Sequence, residues 1–304
     1  MQILTAQNVI DALPYDRLVR ELPPLLLRGT ISPQRHVHSI EQAGEPDATL
    51  LVMPAWSLSG GRGVGGVKIV NVTPGNAARA LPAVTASYLL FDAVTGEHRA
   101  LLDGGELTAR RTAAVAAVAA DRLAKDAAHK LLLVGSGRIA GELAFAYRAV
   151  RDIREVAVWS QTRQNAEKLA RHLNANGFSA RPCDDLEAGV RQADIIACAT
   201  LSTMPLIKGD WLSPGQHVAL IGGYTPGMRE ADDAAMVLGR VWIDTRAALS
   251  EAGDLIDPAG LRIAGTLADL CGRAAVAGRD DTLTVFKSVG EASQDLAAAA
   301  IALR

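Results

Sequence analysis

Two glycines near the middle of the sequence have the spacing of a nucleotide-binding turn. Gly135 and Gly137 follow the apolar run Leu131 to Val134 and precede a segment of helical character that begins near Arg138. Glycines there let the backbone approach a pyrophosphate, whose charge is then met by the free N–H groups of the next helix. A strand, a glycine turn and a helix predict a dinucleotide site. We assign to it Gly135, Ser136, Gly137, Arg138, Ile139 and Ala140.

The residues at the end of the next predicted strand indicate whether the dinucleotide is NADPH or NADH. An NAD enzyme usually has an acidic residue there, which accepts the 2′-hydroxyl of the adenosine ribose. This chain instead has hydroxyl, amide and guanidinium groups, which do not repel a 2′-phosphate and can bind one. The sequence therefore favours NADPH, with NADH as the alternative; Arg163 alternatively only caps a solvated turn. The residues predicted to surround the ribose are Ser160, Gln161, Thr162 and Arg163.

Two adjacent arginines lie at the predicted start of an alanine-rich helix from about Ala109 to Leu123. Arg110 and Arg111 would then occupy its first turn, where each cation is disfavoured by about 0.3 to 1 kcal/mol. A substrate carboxylate held bidentately by Arg111 would compensate for this cost. Alternatively, both arginines point into water or pair with Glu106 or Asp103.

A lysine inside an apolar strand is another candidate cation. Lys68 lies in the segment GGVKIVNV, so its ammonium group would project from a largely buried sheet. Such a lysine lies either at a sheet edge or in a binding site, because an unpaired buried charge is costly. Arg35, in a polar segment just before a strand, would by itself more often be a surface arginine.

The pattern of predicted helices and strands that must position these residues changes near residue 130. Before it, after one or two short helices, predicted strands at 36–40, 49–54, 66–72 and 86–91 are separated by short turns. They indicate an antiparallel sheet. From Lys130 onward strands and helices alternate, as in a parallel, doubly wound sheet of the Rossmann type. The predicted fold class is α/β, with an α+β domain first and an alanine-rich helix over Val289 to Leu303 that can return to it.

Composition limits the class of protein. The 304 residues exceed what one hydrophobic core usually organises, so two domains are expected. Lys plus Arg total 31 against 33 for Asp plus Glu, and the net charge of −2 would not attract nucleic acid. No leader and no apolar run of the roughly 20 residues of a membrane helix is recognised. With three widely spaced cysteines, which predict reduced thiols, these features predict a cytoplasmic protein without nucleic-acid or membrane partners.

Four segments together resemble the ornithine cyclodeaminase and mu-crystallin family. They are GGVKIVNV, TGEHRALLDGGELTARRTAAVAA, VGSGRIA and TVFKSVGEASQDLAAA, in family order over nearly the whole chain. The resemblance implies a homodimer with a discontinuous substrate-binding and dimerisation domain, residues 1–112 with 289–304, and an NAD(P)-binding domain, residues 113–288. It further implies substrate-binding positions at Arg35, Lys68, Ser87 and Arg111, and nicotinamide-side positions at Thr200 and Ser288 with Lys287.

Two departures from the family pattern bear on the reaction. Cyclodeaminases of this family carry an Asp after a glycine pair, in a GGDxPGK-like segment, where this chain has Tyr224. Cyclodeamination needs a group that manages the protons of an amine, whereas reduction of a preformed cyclic imine needs only a hydride and a proton. The segment from Val84 to Ser87 also differs from the His-Gln-Ala/Gly-Thr-like run of relatives, which leaves the substrate open.

The sequence thus predicts an NADPH-dependent reductase of a cyclic α-imino acid, such as Δ1-pyrroline-2-carboxylate or Δ1-piperideine-2-carboxylate, giving proline or pipecolate. Arg111 would orient the small-molecule substrate, and Lys68 or a bound water would donate the proton. One alternative is an ornithine or lysine cyclodeaminase or an alanine-type dehydrogenase. The other is an NADPH-binding carrier of the mu-crystallin type.

Overall fold

The computed structural model describes residues 1–58, 63–256 and 258–304. They form two compact units, one of residues 1–111 with 291–304 and the other of residues 112–290. The chain therefore leaves the first unit and returns to it at its end.

A six-stranded sheet forms the framework of the first unit. The strand β1 pairs in parallel with β6, and the other pairs are antiparallel, as predicted. The exposed short strand β1 has no clear signal in the sequence, and its position comes from pairing with residues 100–102. The strands, in sheet order, are β1 (Gln2–Leu4), β6 (His98–Asp103), β5 (Val84–Phe91), β4 (Val64–Val72), β3 (Ala48–Ser57) and β2 (His36–Ile40).

Among the described residues of the first unit, three helices lie wholly inside it: α1 (Ala6–Ala12), α2 (Tyr15–Leu26) and α10 (Ala292–Ala302). The C-terminal helix α10 packs against α2 and against β3, β4 and β5. Alternate residues of β4 are buried on one face of the sheet, so Lys68 shares that face with Val70 while Ile69 is exposed on the other. The C-terminal helix thus supplies side chains to the same unit as Lys68.

The boundary between the two units falls within helix α3 (Gly104–Leu123). The helix begins before the predicted start at Ala109 because the Asp103 carboxylate accepts a hydrogen bond from the Glu106 backbone N–H at 2.7 Å. Arg110 and Arg111 therefore lie beyond the first turn, and the prediction that the helix N-terminus disfavours their charges is wrong. Arg111 needs an anion for another reason, since it is buried.

The second unit contains an eight-stranded sheet in which every pair is parallel. The strand order reverses between β7 and β10, and ligands of doubly wound sheets bind outside the carboxyl ends of the strands at such a point. The predicted fold class is confirmed. In sheet order the strands are β13 (Ile263–Thr266), β12 (Arg240–Ile243), β14 (Thr284–Lys287), β11 (His217–Leu220), β10 (Ile195–Cys198), β7 (Lys130–Val134), β8 (Glu155–Trp159) and β9 (Ser179–Pro182).

The core of the second unit is made by the central strands, whose buried side chains are mostly apolar on both faces, as a sheet covered by helices requires. The buried polar exceptions on β11 and β14 are His217, Thr284 and Lys287. Cys198 lies in this core, Cys183 and Cys271 are half-buried, and all three cysteines are free thiols. Within the described ranges, no helix has the length and apolar character needed to cross a membrane. The helices are α4 (Arg138–Arg148), α5 (Arg163–Ala175), α6 (Leu186–Gln192), α7 (Asp233–Leu238), α8 (Ala248–Glu251) and α9 (Leu267–Cys271).

Candidate functional site

Three ionised side chains from three elements meet in the first unit. Lys68 Nζ on β4 lies 2.7 Å from Asp295 Oδ2 on α10, and Arg111 Nε on α3 donates to Asp295 Oδ1 at 2.7 Å. Arg111 also donates through Nη1 to Gln294 Oε1 at 2.9 Å. All three charged groups are buried. This group, Lys68, Arg111 and Asp295, is called the two-cation cluster, and it carries one positive charge in excess.

Burial sets the protonation behaviour of the two-cation cluster. Burial lowers the pKa of the Lys68 ammonium to about 8, Asp295 opposes this shift, and the charges of Arg111 and Arg35 add to it. Burial raises the pKa of the Asp295 carboxyl, but Arg111 and Lys68 outweigh it and the net pKa is lowered. Lys68 therefore carries an exchangeable proton near neutral pH, and Arg35 lies near enough to influence it.

Asp295 lies in the segment TVFKSVGEASQDLAAA that carries the resemblance, but the sequence analysis assigns it no role, although it binds both predicted cations. Its one physical signal is a charged residue in a helix, ASQDLAAAAIA, that has no other charged residue and is mostly apolar. The same argument applies to Lys68 in its strand. A buried charge in an apolar element requires a partner of opposite charge, and here Lys68 and Asp295 are partners of each other.

Ser87, another predicted substrate residue, does not join this group. In the β4–β5 pairing, Tyr88 lies opposite Lys68 and Ser87 lies opposite Ile69. Lys68 and Tyr88 are buried, whereas Ile69 and Ser87 are exposed. Ser87 therefore faces the other side of the sheet.

Arg110 differs from its neighbour Arg111. Its Nε donates to the Leu13 carbonyl oxygen at 2.9 Å, and its guanidinium carbon lies 4.5 Å from the centroid of the Tyr15 ring. Its Nη1 lies 3.9 Å from Glu106 Oε1, which is one of the pairings considered for it. Arg110 thus ties α3 to the N-terminal segment of the first unit.

The glycine turn of the second unit has the form that a pyrophosphate requires. Gly135 has a φ of 112°, and a Cβ there would lie 2.5 Å from the Ala199 carbonyl oxygen. Gly137 is the N-cap of α4 without a side-chain cap, and a Cβ there would meet nothing within 4 Å. Arg138, Ile139 and Ala140 form the first turn. The turn therefore leaves open space at the N-terminus of α4, which fits a phosphate group.

The residues predicted to surround the adenosine ribose follow strand β8. Ser136 Oγ and Ser160 Oγ are 2.9 Å apart, so the glycine turn after β7 is in contact with the end of β8. Gln161 and Thr162 are exposed, and Arg163 begins α5. Arg163 pairs with Glu167 at 2.9 Å and with Asp184 at 2.5 Å, so a 2′-phosphate would compete with these carboxylates.

A second buried charged group lies in the second unit. Lys287 Nζ at the end of β14 is 2.9 Å from Asp254 Oδ2 and 3.8 Å from Glu230 Oε2. Asp254 Oδ1 accepts the backbone N–H groups of Glu230 and Ala231 at 2.7 and 2.9 Å. This group, Glu230, Asp254 and Lys287, is called the two-carboxylate cluster. Neither carboxylate stands in a motif that the sequence analysis uses.

The two-carboxylate cluster joins the loops that follow β10 and β11. Glu230 Oε1 accepts the backbone N–H and the hydroxyl of Thr200 at 2.8 and 2.9 Å. Glu230 Oε2 accepts the N–H groups of Gly222 and Gly223 at 2.8 and 3.3 Å. The predicted residue Thr200 is thus fixed by Glu230, and Tyr224, at the position of the cyclodeaminase Asp, is half-buried against the core.

Ser288 is held separately by Asp244. The Ser288 hydroxyl donates to Asp244 Oδ2 at 2.8 Å, and the same oxygen accepts the Gly290 N–H at 2.7 Å. Ser288 directly follows Lys287, so the end of β14 is fixed by carboxylates at two successive residues. The structure therefore brings Thr200 and Lys287 into one group and leaves Ser288 beside it.

The fold and the two charged groups define an α/β protein with a dinucleotide-type turn and a separate buried cation site. The chain belongs to the ornithine cyclodeaminase/mu-crystallin family, whose sequence profile matches residues 28–302. The predicted family is confirmed.

Named relatives and a solved structure resemble the chain over nearly its full length. It is 34% identical to the Δ1-pyrroline-2-carboxylate reductase of Colwellia psychrerythraea, covering 98% of this chain and 97% of that protein. It is 36% identical to the ketimine reductase mu-crystallin of Rattus norvegicus, covering 97% and 94%. The structure of Thermococcus litoralis Δ1-pyrroline-2-carboxylate reductase with NADH and L-proline matches with a TM-score of 0.90, 26% identity, and coverage of 99% and 96%. These relatives are reductases, the class of enzyme that the sequence predicts.

Proposed function

We propose that this protein is an NADPH-dependent reductase of cyclic α-imino acids, acting on Δ1-pyrroline-2-carboxylate or Δ1-piperideine-2-carboxylate to give proline or pipecolate. The observation that carries the proposal is the two-cation cluster, in which Lys68 and Arg111 share the single carboxylate of Asp295. A buried excess of positive charge favours a small anion. The names of the relatives support an imino acid as that anion.

The carboxylate of the substrate binds at Arg111 and Lys68, with Arg35 near them. Arg111 uses Nε and one hydrogen of Nη1 for Asp295 and Gln294, so the second hydrogen on Nη1 and both on Nη2 are the donors that these bonds leave over. Arg111 is held by α10 on one side, which fixes the direction of the remaining donors. A fixed donor orients the substrate at little entropic cost.

Lys68 donates the proton that makes the imine reactive. Its pKa of about 8 leaves the ammonium mainly protonated at neutral pH and still able to lose its proton. Asp295 holds the ammonium at 2.7 Å and opposes the effect of burial, so it acts as a positioning residue for Lys68. The reaction rate should therefore fall as the pH rises above about 8.

The nicotinamide cofactor binds to the second unit, and bound NADPH supplies the hydride. Gly135 to Ala140 hold the pyrophosphate at the N-terminus of α4, with Ser160 to Arg163 at the ribose. The absence of a carboxylate from Ser160 to Arg163 favours NADPH over NADH. Thr200 and Ser288 act as fixed positions on the nicotinamide side, since their hydroxyls already bond to Glu230 and Asp244.

The protein forms a homodimer in this proposal. The face of the first sheet opposite Lys68 carries the exposed side chains of Ile3 and Ile69, 70% and 43% accessible, beside half-buried Val67, Leu89 and Leu101. An exposed apolar face of this kind suits a second copy of the chain. Light scattering during size-exclusion chromatography would give a monomer mass if this part were wrong. The three free thiols suit the cytoplasm.

The test of the proposed function is NADPH oxidation by the purified protein with each of the two cyclic imines. Rapid imine-dependent oxidation is the expected result. Ornithine with NAD is assayed in parallel for released ammonia. If neither imine causes NADPH oxidation and ornithine releases ammonia, the protein is a cyclodeaminase instead. If the protein binds NADPH but turns over none of these substrates, it is a carrier.

A further inference from the structure

Tyr88 is a buried tyrosine next to the two-cation cluster. It lies on β5 directly opposite Lys68 of β4, on the same face of the sheet, and its side chain is 0% exposed. Within residues 1–58, 63–256 and 258–304, its hydroxyl has no hydrogen-bond partner. A buried hydroxyl that no protein group satisfies is uncommon and costs stability, so it calls for an explanation.

The position of this hydroxyl depends on a glycine. A Cβ on Gly66 would lie 2.1 Å from Tyr88 Oη and 2.5 Å from Cζ, so any other residue there would displace the ring. Gly66 is two positions before Lys68 and therefore lies on the same face of β4. The segment GGVK thus provides both the ammonium group and the space for the phenol beside it.

The charges around the phenol keep it a hydrogen-bond donor. Burial and the negative charge of Asp295 raise the pKa of Tyr88 well above 10, so the hydroxyl keeps its proton. The carboxylate of Asp295 is already shared by Lys68 and Arg111. The phenol therefore brings an unused neutral donor to a cluster whose positive charge attracts an anion.

We propose that the Tyr88 hydroxyl donates a hydrogen bond to the carboxylate of the substrate, which makes Tyr88 a further substrate-binding residue beside Lys68 and Arg111. This inference rests on the proposed function. Once its ring nitrogen is protonated, a cyclic α-imino acid has acceptors only on its carboxylate, so a donor in this position has one place to bind. Ligand binding would then satisfy the hydroxyl that the free protein leaves without a partner.

The variant Tyr88→Phe removes the hydroxyl and keeps the ring. We expect the free variant to melt at the same temperature as the wild type or higher, because an unsatisfied buried polar group is lost. We expect kcat/KM for Δ1-pyrroline-2-carboxylate to fall about tenfold or more, since a hydrogen bond to a charged group is lost, with KM for NADPH unchanged. A purely structural hydroxyl would not give opposite changes in stability and activity.

Tyr147 provides a matched control in the second unit. It is also fully buried, and its hydroxyl finds no partner among the described residues. Tyr147→Phe should likewise keep or raise the melting temperature but leave kcat/KM unchanged. A Tyr88→Phe variant with wild-type kcat/KM, or with the same kinetics as Tyr147→Phe, would overturn the inference.

Binding of pyrrole-2-carboxylate separates this inference from the proposed function. This planar ring carries the carboxylate and a ring N–H but has no C=N bond to reduce, and its affinity is measured by calorimetry in the presence of NADP⁺. If the wild type reduces no cyclic imine but binds the probe, the proposed function fails, and weaker binding by Tyr88→Phe still supports the hydroxyl contact. Equal binding by the two proteins overturns it, and an absence of both turnover and probe binding in the wild type defeats both proposals.

Discussion

The two buried charged groups of this protein use the same kinds of side chain in opposite proportion. The two-cation cluster has one carboxylate, Asp295, between Lys68 and Arg111. The two-carboxylate cluster has one ammonium, Lys287, near Asp254 and Glu230. All six residues are at most 4% exposed, so burial alone does not distinguish the groups.

What separates the groups is how their charges are satisfied. Glu230 receives four hydrogen bonds from Thr200, Gly222 and Gly223, so its excess negative charge is used inside the protein to fix two loops. In the described part of the chain no second carboxylate matches the excess positive charge of the first group, and the Tyr88 hydroxyl, whose pKa the Asp295 charge helps to raise, has no partner there. Buried excess charge thus indicates a ligand site where no protein group matches it, and a structural role where backbone and hydroxyl donors take it up. Single unsatisfied atoms do not distinguish the groups, since Asp295 Oδ2 in one and Lys287 Nζ and Asp254 Oδ2 in the other form ion pairs without hydrogen bonds to described residues.

The largest effect is expected from removing the ammonium of the two-carboxylate cluster. Lys287→Met leaves two buried carboxylates without a cation, and the free energy of unfolding should fall by about 3 to 5 kcal/mol. Denaturant unfolding followed by circular dichroism measures this change. A loss below about 1 kcal/mol would mean that the backbone donors satisfy the carboxylates by themselves.

The pH dependence of the Lys287→Met deficit gives an internal control. Burial raises the pKa of Glu230, which means that the folded state holds this proton more tightly than the unfolded chain does. Stability linked to a raised pKa is present at low pH and lost as the pH rises through the folded pKa. The deficit should therefore be largest at high pH and shrink on acidification, and a deficit independent of pH would contradict the assignment to Glu230.

The next largest effect is expected from Arg111→Ala in the two-cation cluster. It removes a donor to the substrate carboxylate, so kcat/KM for the imine should fall about 100-fold, or about 2.7 kcal/mol, with KM for the imine raised and NADPH affinity barely changed. Steady-state kinetics with each substrate varied in turn measure this. Arg110→Ala is the matched control on the same helix, since Arg110 binds the Leu13 carbonyl and the Tyr15 ring. It should lower stability and leave KM for the imine unchanged; equal kinetic losses in both variants would remove Arg111 from the site.

The fold was open to prediction because its signals are local. The glycine turn from Gly135 and the alternation of strand and helix after Lys130 each depend on residues that are close together in the sequence. The structure has each of them in the expected element. The start of α3 was missed because the Asp-Gly-Gly sequence at residues 103–105 is typical of a turn, whereas Asp103 here caps the helix.

The candidate site was harder to predict because its contacts are distant in the chain. Asp295 lies 184 residues after Arg111, and no local sequence pattern predicts that the two side chains form an ion pair. Glu230 and Asp254 also lack a local sequence pattern, because their role depends on contacts with Lys287 and with backbone groups of other loops. Ser87 shows a different limit, because the face of a strand on which a residue lies is set by pairing that a resemblance does not report.

A smaller but more specific effect is expected from Asp295→Asn. Asp295 is the group that opposes the lowering of the Lys68 pKa, so its loss should lower that pKa further below about 8. If protonated Lys68 is the donor, the high-pH decline of kcat/KM should move to lower pH in the variant. Rates over a pH series, with the fold verified by circular dichroism, measure the shift. A decline at the same pH in both proteins would mean that Lys68 is not the group that titrates.

The smallest effect is expected at the surface, where Arg163→Asp tests the cofactor preference. Arg163 is exposed and shared by Glu167 and Asp184, so its contribution to binding a 2′-phosphate is limited by those partners and by solvent. We expect the ratio of kcat/KM for NADPH to that for NADH to fall on the order of tenfold. Arg191→Asp is the matched control, because Arg191 forms the same kind of ion pair with Glu187 one helical turn away and lies outside the predicted cofactor site. An unchanged ratio in both variants would show that Ser160 and its neighbours, rather than Arg163, determine the preference, whereas equal falls in both would attribute the effect to the general surface field.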